Sequence, residues 1–318
     1  MKARRHSWML VLIPILALAL ITLSPAQQAF AEEKPTIKIG YVAWASTMSA
    51  LGITGALLEE IGYKVEPVLM DVGVMYSSVS KADVDMIPSA SIPELHEAYF
   101  DKHGWSYEIL AITYGFSMQG LGVPSYMKDL NSIEQLADYT DQFDGRIVGI
   151  GPGSGLMQAA SKAMVQYPSL KDYKLIEGSG SAMVGSVKKA TAKNEPILAT
   201  VWRPHWLFMK YPMKLLKDPK GLFGRPYASY TVGPNGFKQR YPAAAKMMWQ
   251  SIVFPDELSD VMFSIGNDKM DPLDAGRKWV NENPDIVAKW TRGCKDVPLF
   301  TGMEYEVEKT GHPWYPKK

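Results

Sequence analysis

The chain has 318 residues, and its 34 Lys and Arg side chains nearly balance its 33 Asp and Glu side chains, for a formal net charge of +1. This balance, without a basic block, argues against nucleic acid or an anionic membrane surface as a partner. The single cysteine, Cys294, excludes an internal disulfide and a cysteine metal cluster, and we expect it to be a small buried hydrophobe.

The first 31 residues have the three parts of a secretory signal peptide. Three basic side chains within the first five positions precede an apolar stretch over 9–23, and small residues follow at Ala29 and Ala31. Cleavage is expected before Glu32, with an uncleaved N-terminal anchor as the alternative. Cleavage removes three basic and no acidic side chains, which leaves a formal net charge of −2. No cysteine follows the cleavage site to carry a lipid, so we expect a soluble protein in the periplasm.

After the signal peptide, strand patterns and helix patterns alternate, which predicts a parallel α/β sheet. Gly62 is a typical end for the first helix. The predicted strands cover 36–42, 63–69, 85–88, 107–113 and 119–123, and the predicted helices cover 46–62, 74–82 and 92–102.

The pattern restarts after Pro124, where Asn131 or Ser132 is expected to cap a helix. Strands are predicted over 146–150 and 196–201, helices over 155–167 and 181–193, and mostly helix from 236 onward. Some 287 residues remain after cleavage, which is long for one core and favours two lobes. We expect one lobe to comprise 32–123 and about 232–318, and the other to comprise 124–231, with the ligand cleft between them.

A glycine run over 149–155 follows one strand and precedes a helix, but it carries no enzyme signature. It does not match G-x-G-x-x-G, it lacks the lysine of a phosphate-binding loop, and Pro152 disrupts the G-x-S-x-G pattern around Ser154. The histidines do not have metal-ligand spacing. The run can present free backbone N–H groups at a helix N-terminus, where a carboxylate would bind. A simple tight turn remains the alternative.

Two tryptophans, Trp44 and Trp202, each follow a predicted strand at its carboxyl end, one in each lobe. Ligands of open α/β sheets bind at that edge. Tryptophan rings attract quaternary ammonium groups, although each ring considered separately is more often part of the packing. Together with the glycine run, the two rings indicate a zwitterion whose cation lies against aromatic faces.

Three segments resemble the glycine betaine-binding subunits of ABC importers, the OpuAC-like family. Supporting similarities occur over 122–126, 131–134, 143–147 and 275–279, so the resemblance covers 36 to about 290. The segments are Gly40-Tyr-Val-Ala-Trp44, Gly149-Ile-Gly-Pro-Gly-Ser-Gly-Leu-Met157 and Thr200-Val-Trp-Arg-Pro-His-Trp206 with its continuation through Pro219.

The resemblance implies an α/β fold of the two-lobed periplasmic binding protein kind, type II-like, with a hinge and no cofactor. It implies that Trp44 and Trp202 surround an onium cation, while His96 and the backbone amides of Gly155 and Leu156 hold a carboxylate. The implied partners are a small onium ligand and the membrane permease of an ABC importer, and the implied state is a monomer.

Ser91 departs from the family, which has a third tryptophan at this position. Either another ring fills the gap, with Tyr76, Tyr114 and Phe116 as candidates, or the pocket is wider. Glycine betaine, choline, carnitine and dimethylsulfoniopropionate all stay open as ligands. We expect His205 to be a structural hydrogen-bonding residue. Four further tryptophans are expected to pack in the core: Trp206, Trp249, Trp279 and Trp290.

Two other functions compete with transport. An extracytoplasmic hydrolase or transferase would need Ser154 to act with His96 or His205, and nothing in their spacing supports that. A ligand-sensing module for a receptor would have the same sequence features as a transport protein. The sequence favours a binding protein over an enzyme.

Overall fold

The computed structural model describes residues 34–303, except 93, 104–105, 254 and the side chain of 256. The predicted signal peptide and its cleavage site lie outside the described residues. Within them, none of the helices combines the length and the apolar character needed to cross a membrane.

The strands follow the predicted alternation closely in the first half of the chain. Their bounds are β1 Thr36–Tyr41, β2 Lys64–Leu69, β3 Ile87–Ala90, β4 Tyr107–Pro124, β5 Arg146–Val148, β6 Lys174–Ile176, β7 Ala199–Arg203, β8 Met213–Leu215 and β9 Tyr227–Pro234.

The helices include the mostly helical C-terminal part that the sequence predicts. Their bounds are α1 Ala45–Glu60, α2 Val72–Ser80, α3 Glu97–His103, α4 Gly155–Gln166, α5 Gly180–Ala192, α6 Leu207–Lys210, α7 Phe237–Arg240, α8 Pro242–Gln250, α9 Pro255–Gly266, α10 Pro272–Glu282 and α11 Pro284–Trp290. Short 3₁₀ helices occupy Ile133–Tyr139, Asp141–Phe143, Pro168–Leu170 and Cys294–Asp296.

The strands form a two-stranded parallel sheet, β1-β2, and a larger mixed sheet. The prediction of a parallel sheet was therefore wrong for the larger one. β1 and β2 pair in parallel, and so do β5 and β6, but β4 pairs antiparallel with β7, β8 and β9. The larger sheet has the order β3-β9-β4-β7-β5-β6. β4 is one strand of 18 residues where two were predicted. This long strand is irregular but continuous. Its pairing with β9 shifts register, and Phe116 adopts a left-handed conformation with a φ of 58°.

β4 connects two hydrophobic cores. Leu110 and Tyr114 pack in a core built from α1, α8, α9 and α10, whereas Leu121 and Val123 pack in a core built from α4, α5 and β7. The chain therefore crosses from one core to the other between Tyr114 and Leu121. β9 pairs with the first half of β4, and β7 pairs with the second half.

Most of the packing predictions hold. Cys294 is buried, Trp206 is buried, and Trp279 and Trp290 stack in the first core with ring centroids 5.6 Å apart. Trp249 contradicts its prediction, because its side chain is 78% exposed. It lies near the end of α8, where Met247 and Met248 face the core instead.

Local differences concern where elements begin. The helix predicted over 92–102 begins only at Glu97, because the preceding residues form a turn in which the amides of Leu95 and His96 donate to the Ser91 carbonyl. Ser132 forms the predicted capping box with Gln135, but it caps a 3₁₀ helix. Trp202 lies within β7, as its penultimate residue, and not after it.

Candidate functional site

A cavity lies beside β4 where the two cores meet. Its volume is about 50 Å³, several times the roughly 10–15 Å³ that one water molecule requires. The fold thus brings residues from separate segments of the sequence to one place. All seven predicted ligand contacts line the cavity: Trp44, Ser91, His96, Tyr114, Gly155, Leu156 and Trp202.

One end of the cavity is the N-terminus of α4. The Ser154 hydroxyl caps the helix by accepting a hydrogen bond from the Met157 amide at 3.2 Å. Among the described residues, the amides of Gly155 and Leu156 have no acceptor. These two N–H groups and the positive end of the helix dipole can bind an anion such as a carboxylate.

His96 lies beside this end and is neutral. Burial lowers its pKa from 6.5 to about 4. Its Nδ1 is 3.2 Å from the backbone amide of Ser91, which can only donate, so Nδ1 is the unprotonated nitrogen. The Tyr76 hydroxyl donates to the same atom at 2.8 Å. The proton therefore resides on Nε2, and the ring can donate a hydrogen bond from there.

Each of the two tryptophans predicted to surround the cation, which form the aromatic cage, contacts a histidine ring. Trp44 stacks on His96, with ring centroids 6.0 Å apart and an interplanar angle of 24°. Trp202 contacts His205 edge-on, with ring centroids 4.5 Å apart. His205 is buried, and its Nδ1 accepts a hydrogen bond from the Leu207 amide at 3.0 Å. Burial lowers the pKa of His205 to about 3, which agrees with the structural role predicted for it.

The wall that contains Ser91 is completed by tyrosines. Tyr114 lines the cavity, and its hydroxyl hydrogen-bonds with Ser89 at 2.8 Å. Tyr227 also lines it, next to Ser91. Ser91 in turn contacts the Ser229 hydroxyl at 3.2 Å.

Sequence reasoning missed Tyr227. The lobe boundary predicted near residue 232 was the signal that could have identified it, since a chain segment that passes between lobes borders the cleft. The two other rings considered for the gap lie elsewhere. Tyr76 is fully buried behind His96, and Phe116 is 78% exposed.

Contacts between the 95–99 segment on one side and the 153–155 segment on the other close the cavity near α4. The Tyr99 hydroxyl donates to the carbonyl oxygen of Gly153 at 3.0 Å. Gly155 packs so closely on Leu95 that a Cβ at position 155 would lie 2.7 Å from the Cβ of Leu95. A larger residue at 155 would force the two sides apart.

The enzyme alternative would need Ser154 to act with His96 or His205. The Ser154 hydroxyl caps α4, and within the described ranges no hydrogen bond joins it to His96 or His205. The same residues contain no group of three or more His, Cys, Asp and Glu side chains placed to hold a metal ion.

The chain is similar to binding proteins for glycine betaine in sequence. Residues 35–282 match the family model OpuAC, described as the substrate binding domain of an ABC-type glycine betaine transport system. The glycine betaine/carnitine transport binding protein GbuC of Listeria monocytogenes is 36% identical over 161 residues. That match covers 50% of this chain and 53% of GbuC, so it spans about half the length of each protein.

Solved structures extend the similarity over the fold. Lactococcal OpuAC in its closed conformation with glycine betaine is 32% identical, with a TM-score of 0.75 over 81% of this chain and 100% of that one. The ProX protein of Borrelia burgdorferi is 27% identical, with a TM-score of 0.76 over 82% of this chain and 98% of that one. Both are two-lobed substrate-binding proteins. The chain belongs to the family of substrate-binding domains of ABC-type glycine betaine transport systems.

Proposed function

We propose that this chain is the extracytoplasmic substrate-binding subunit of an ABC importer. It captures glycine betaine or a related onium osmolyte in the periplasm and delivers the ligand to the membrane permease. The signal peptide is removed after Ala31, and the protein acts as a monomer without a cofactor and without turnover. The single observation that carries this proposal is the pairing, in one cavity, of aromatic rings with free amides at a helix N-terminus.

The aromatic rings suit a quaternary cation. Trp44, Trp202, Tyr114 and Tyr227 all line the cavity. A desolvated cation against such ring faces gains up to about 2 kcal/mol per favourable contact. The described residues that line the cavity include no Asp, Glu, Lys or Arg, so a bulky cation with spread charge fits the ring walls better than a compact, strongly hydrated one.

The other end suits the carboxylate of a zwitterion. Gly155 and Leu156 offer two unused amides, and neutral His96 offers Nε2–H. Hydrogen bonds to a charged group contribute roughly 1.5–3 kcal/mol each. Glycine betaine has both features, a trimethylammonium group and a carboxylate separated by one carbon.

The ligand is captured between two lobes, which are joined where the chain crosses from one lobe to the other and back. The proposed lobes remain 32–123 with about 232–318 and 124–231, and these bounds lie near the two crossings, which are β4 between Tyr114 and Leu121 and the chain that enters β9. Closure brings Leu95 and Tyr99 of the first lobe onto Gly155 and Gly153 of the second, which excludes water from the ligand. The permease then receives a closed, loaded protein.

A thermal unfolding panel followed by calorimetry tests the proposal. The mature protein is titrated with glycine betaine, choline, carnitine and dimethylsulfoniopropionate, with glycine as the matched zwitterion without methyl groups. A ligand present at 1,000 times its dissociation constant adds about 4 kcal/mol of stability. The proposal is wrong if glycine stabilises the protein as much as the best onium compound, or if no onium compound stabilises it.

A second measurement tests the absence of turnover. Protein and bound ligand are incubated, the protein is unfolded, and the released ligand is identified by NMR. We expect the ligand to be recovered unchanged and in stoichiometric amount. Any product of hydrolysis or methyl transfer would favour the enzyme alternative.

A further inference from the structure

The floor of the cavity carries two polar side chains that the cage and the carboxylate site do not use. Ser117 and Gln119 are two residues apart on β4, so their side chains lie on the same face of the strand. Ser117 pairs with Tyr227 of β9, and Gln119 pairs with Trp202 of β7. Directly paired residues of antiparallel strands share a face, which places both polar side chains next to cavity rings.

Both side chains are buried with hydrogen-bonding capacity left over. Ser117 is 2% exposed and Gln119 is 9% exposed. Among the described residues, the Ser117 hydroxyl and the Gln119 carbonyl oxygen have no hydrogen-bond partner. Buried polar atoms are nearly always paired in folded proteins, so unpaired ones that line a cavity are available to a molecule bound inside it.

The orientation of the Gln119 amide defines what such a molecule must supply to pair with it. Its nitrogen lies 3.4 Å from the carbonyl oxygen of Phe223 and donates to it, which leaves the amide oxygen as the free atom. That oxygen is an acceptor only. A group that pairs with this oxygen must therefore carry a hydrogen-bond donor. The Ser117 hydroxyl can accept a hydrogen bond from the same donor. When that donor is itself a hydroxyl group, Ser117 can also donate a hydrogen bond to it.

The wall above this floor is also rich in hydroxyl groups. At the position where the family has a tryptophan, the Ser91 hydroxyl hydrogen-bonds with the Ser229 hydroxyl. These two hydroxyl groups are partners of each other, whereas the oxygens of Ser117 and Gln119 have none among the described residues. Among the described residues that line the cavity, Ser117 and Gln119 are the ones with a fully buried polar atom that lacks a hydrogen-bond partner.

We propose that Ser117 and Gln119 form a subsite for a hydrogen-bond donor on the ligand. The preferred ligand is then an onium compound with a hydroxyl group or an N–H group, in place of fully methylated glycine betaine. Glycine betaine has no donor and would leave both floor oxygens unpaired. This inference rests on the proposed function, since it assumes that an onium ligand occupies the cavity.

Two matched ligand pairs test the subsite by calorimetry on the wild-type protein. Carnitine differs from γ-butyrobetaine only by a hydroxyl group, and N,N-dimethylglycine differs from glycine betaine by an N–H in place of one methyl group. We expect at least one donor-bearing compound to bind about tenfold more tightly than its partner. The first pair reports a hydroxyl ligand, and the second reports an ammonium ligand.

Two substitutions assign the preference to the floor. Gln119→Met keeps the length of the side chain without the amide, and Ser117→Ala removes the hydroxyl. We expect Gln119→Met to abolish the preference within the pair while the donor-free compound keeps its affinity within about threefold. Trp249→Ala, on the exposed surface, is the control and should preserve the preference.

The outcomes separate the two proposals. If no onium compound binds, the proposed function fails and the subsite fails with it. If onium compounds bind but the donor-free member of each pair binds as tightly or more tightly, the subsite is wrong while the function stands. A preference that survives in Gln119→Met and Ser117→Ala would also overturn the subsite, because the donor would then bind elsewhere.

Discussion

Gly155 packs directly against Leu95, with too little space between them for any side chain at position 155. The contact joins the turn before α3 to the N-terminus of α4, and both segments line the cavity. The closed arrangement of the site therefore depends on a glycine at the first residue of a helix. The same glycine supplies one of the amides proposed to bind the carboxylate.

Gly155→Ala should lower affinity for glycine betaine at least tenfold, because the added methyl group collides with Leu95 when the two sides close. Gly151→Ala is the matched control, since a Cβ there would meet nothing within 4 Å. Calorimetry on both variants gives the comparison. Equal affinities for the two variants would mean that the closed contact does not contribute to binding.

Trp44→Ala and Trp202→Ala should each weaken onium binding about tenfold or more, because each removes one ring face from the cation. Trp249→Ala carries the same substitution on the surface and should leave affinity unchanged. Unfolding curves for all three variants separate binding from stability. Similar losses of affinity at all three positions would show that the cage assignment is wrong.

His96→Ala should lower affinity for glycine betaine tenfold or more, because it removes a hydrogen bond to the carboxylate. Choline has no carboxylate, so its affinity should fall far less. His96→Gln places an amide N–H near the position of Nε2 and should restore part of the loss. An equal loss for the two ligands would contradict the role of His96 as a carboxylate donor.

Ser91→Trp should shift preference toward compact glycine betaine and against a larger ligand. The indole must take space now bordered by Tyr227 and Ser229, which narrows the pocket. A competition titration with glycine betaine, choline, carnitine and dimethylsulfoniopropionate measures the shift, with Ser91→Ala as the control that leaves the space open. If the wild type already prefers glycine betaine and the substitution weakens it, the pocket is not widened and Tyr227 is the replacement ring.

Acidification should destabilise the fold between about pH 6.5 and pH 4. Burial lowers the pKa of His96 to about 4 and that of His205 to about 3, so the unfolded chain binds more protons in this range. The free energy of unfolding then decreases as the pH falls, by at most about 1.4 kcal/mol per pH unit for each histidine. Urea unfolding at pH 7, 6 and 5 measures the slope.

His205→Asn should flatten this pH dependence, because the Asn Oδ1 can accept the hydrogen bond from the Leu207 amide without titrating. The unchanged His96 should maintain the remaining slope. A free energy of unfolding that stays constant from pH 7 to pH 5 in the wild type would show that neither histidine is neutral in the folded protein at pH 5.

The sequence by itself determined the elements whose signals are local. Gly62 ended α1 as predicted, Ser132 and Gln135 formed their capping box, and the glycine run led into α4. Trp44 and Trp202 could be identified as candidates because each follows a predicted strand, and His96 because its segment resembles that of a known family. These signals depend on a few neighbouring residues, so no knowledge of distant contacts is needed to interpret them.

Only the tertiary structure decided which distant residues share the cavity wall. Tyr227 and Ser117 meet because β9 returns antiparallel to β4, and Gln119 meets Trp202 because β7 pairs with the other half of the same strand. The irregular backbone around Phe116 looks like a break between two strands in sequence, yet the pairing on both sides holds it as one strand. Register between strands is a long-range property, and a shift of one residue would turn every side chain to the opposite face. The floor of the cavity, and with it the proposed choice among onium ligands, therefore depends on pairings that local patterns do not encode.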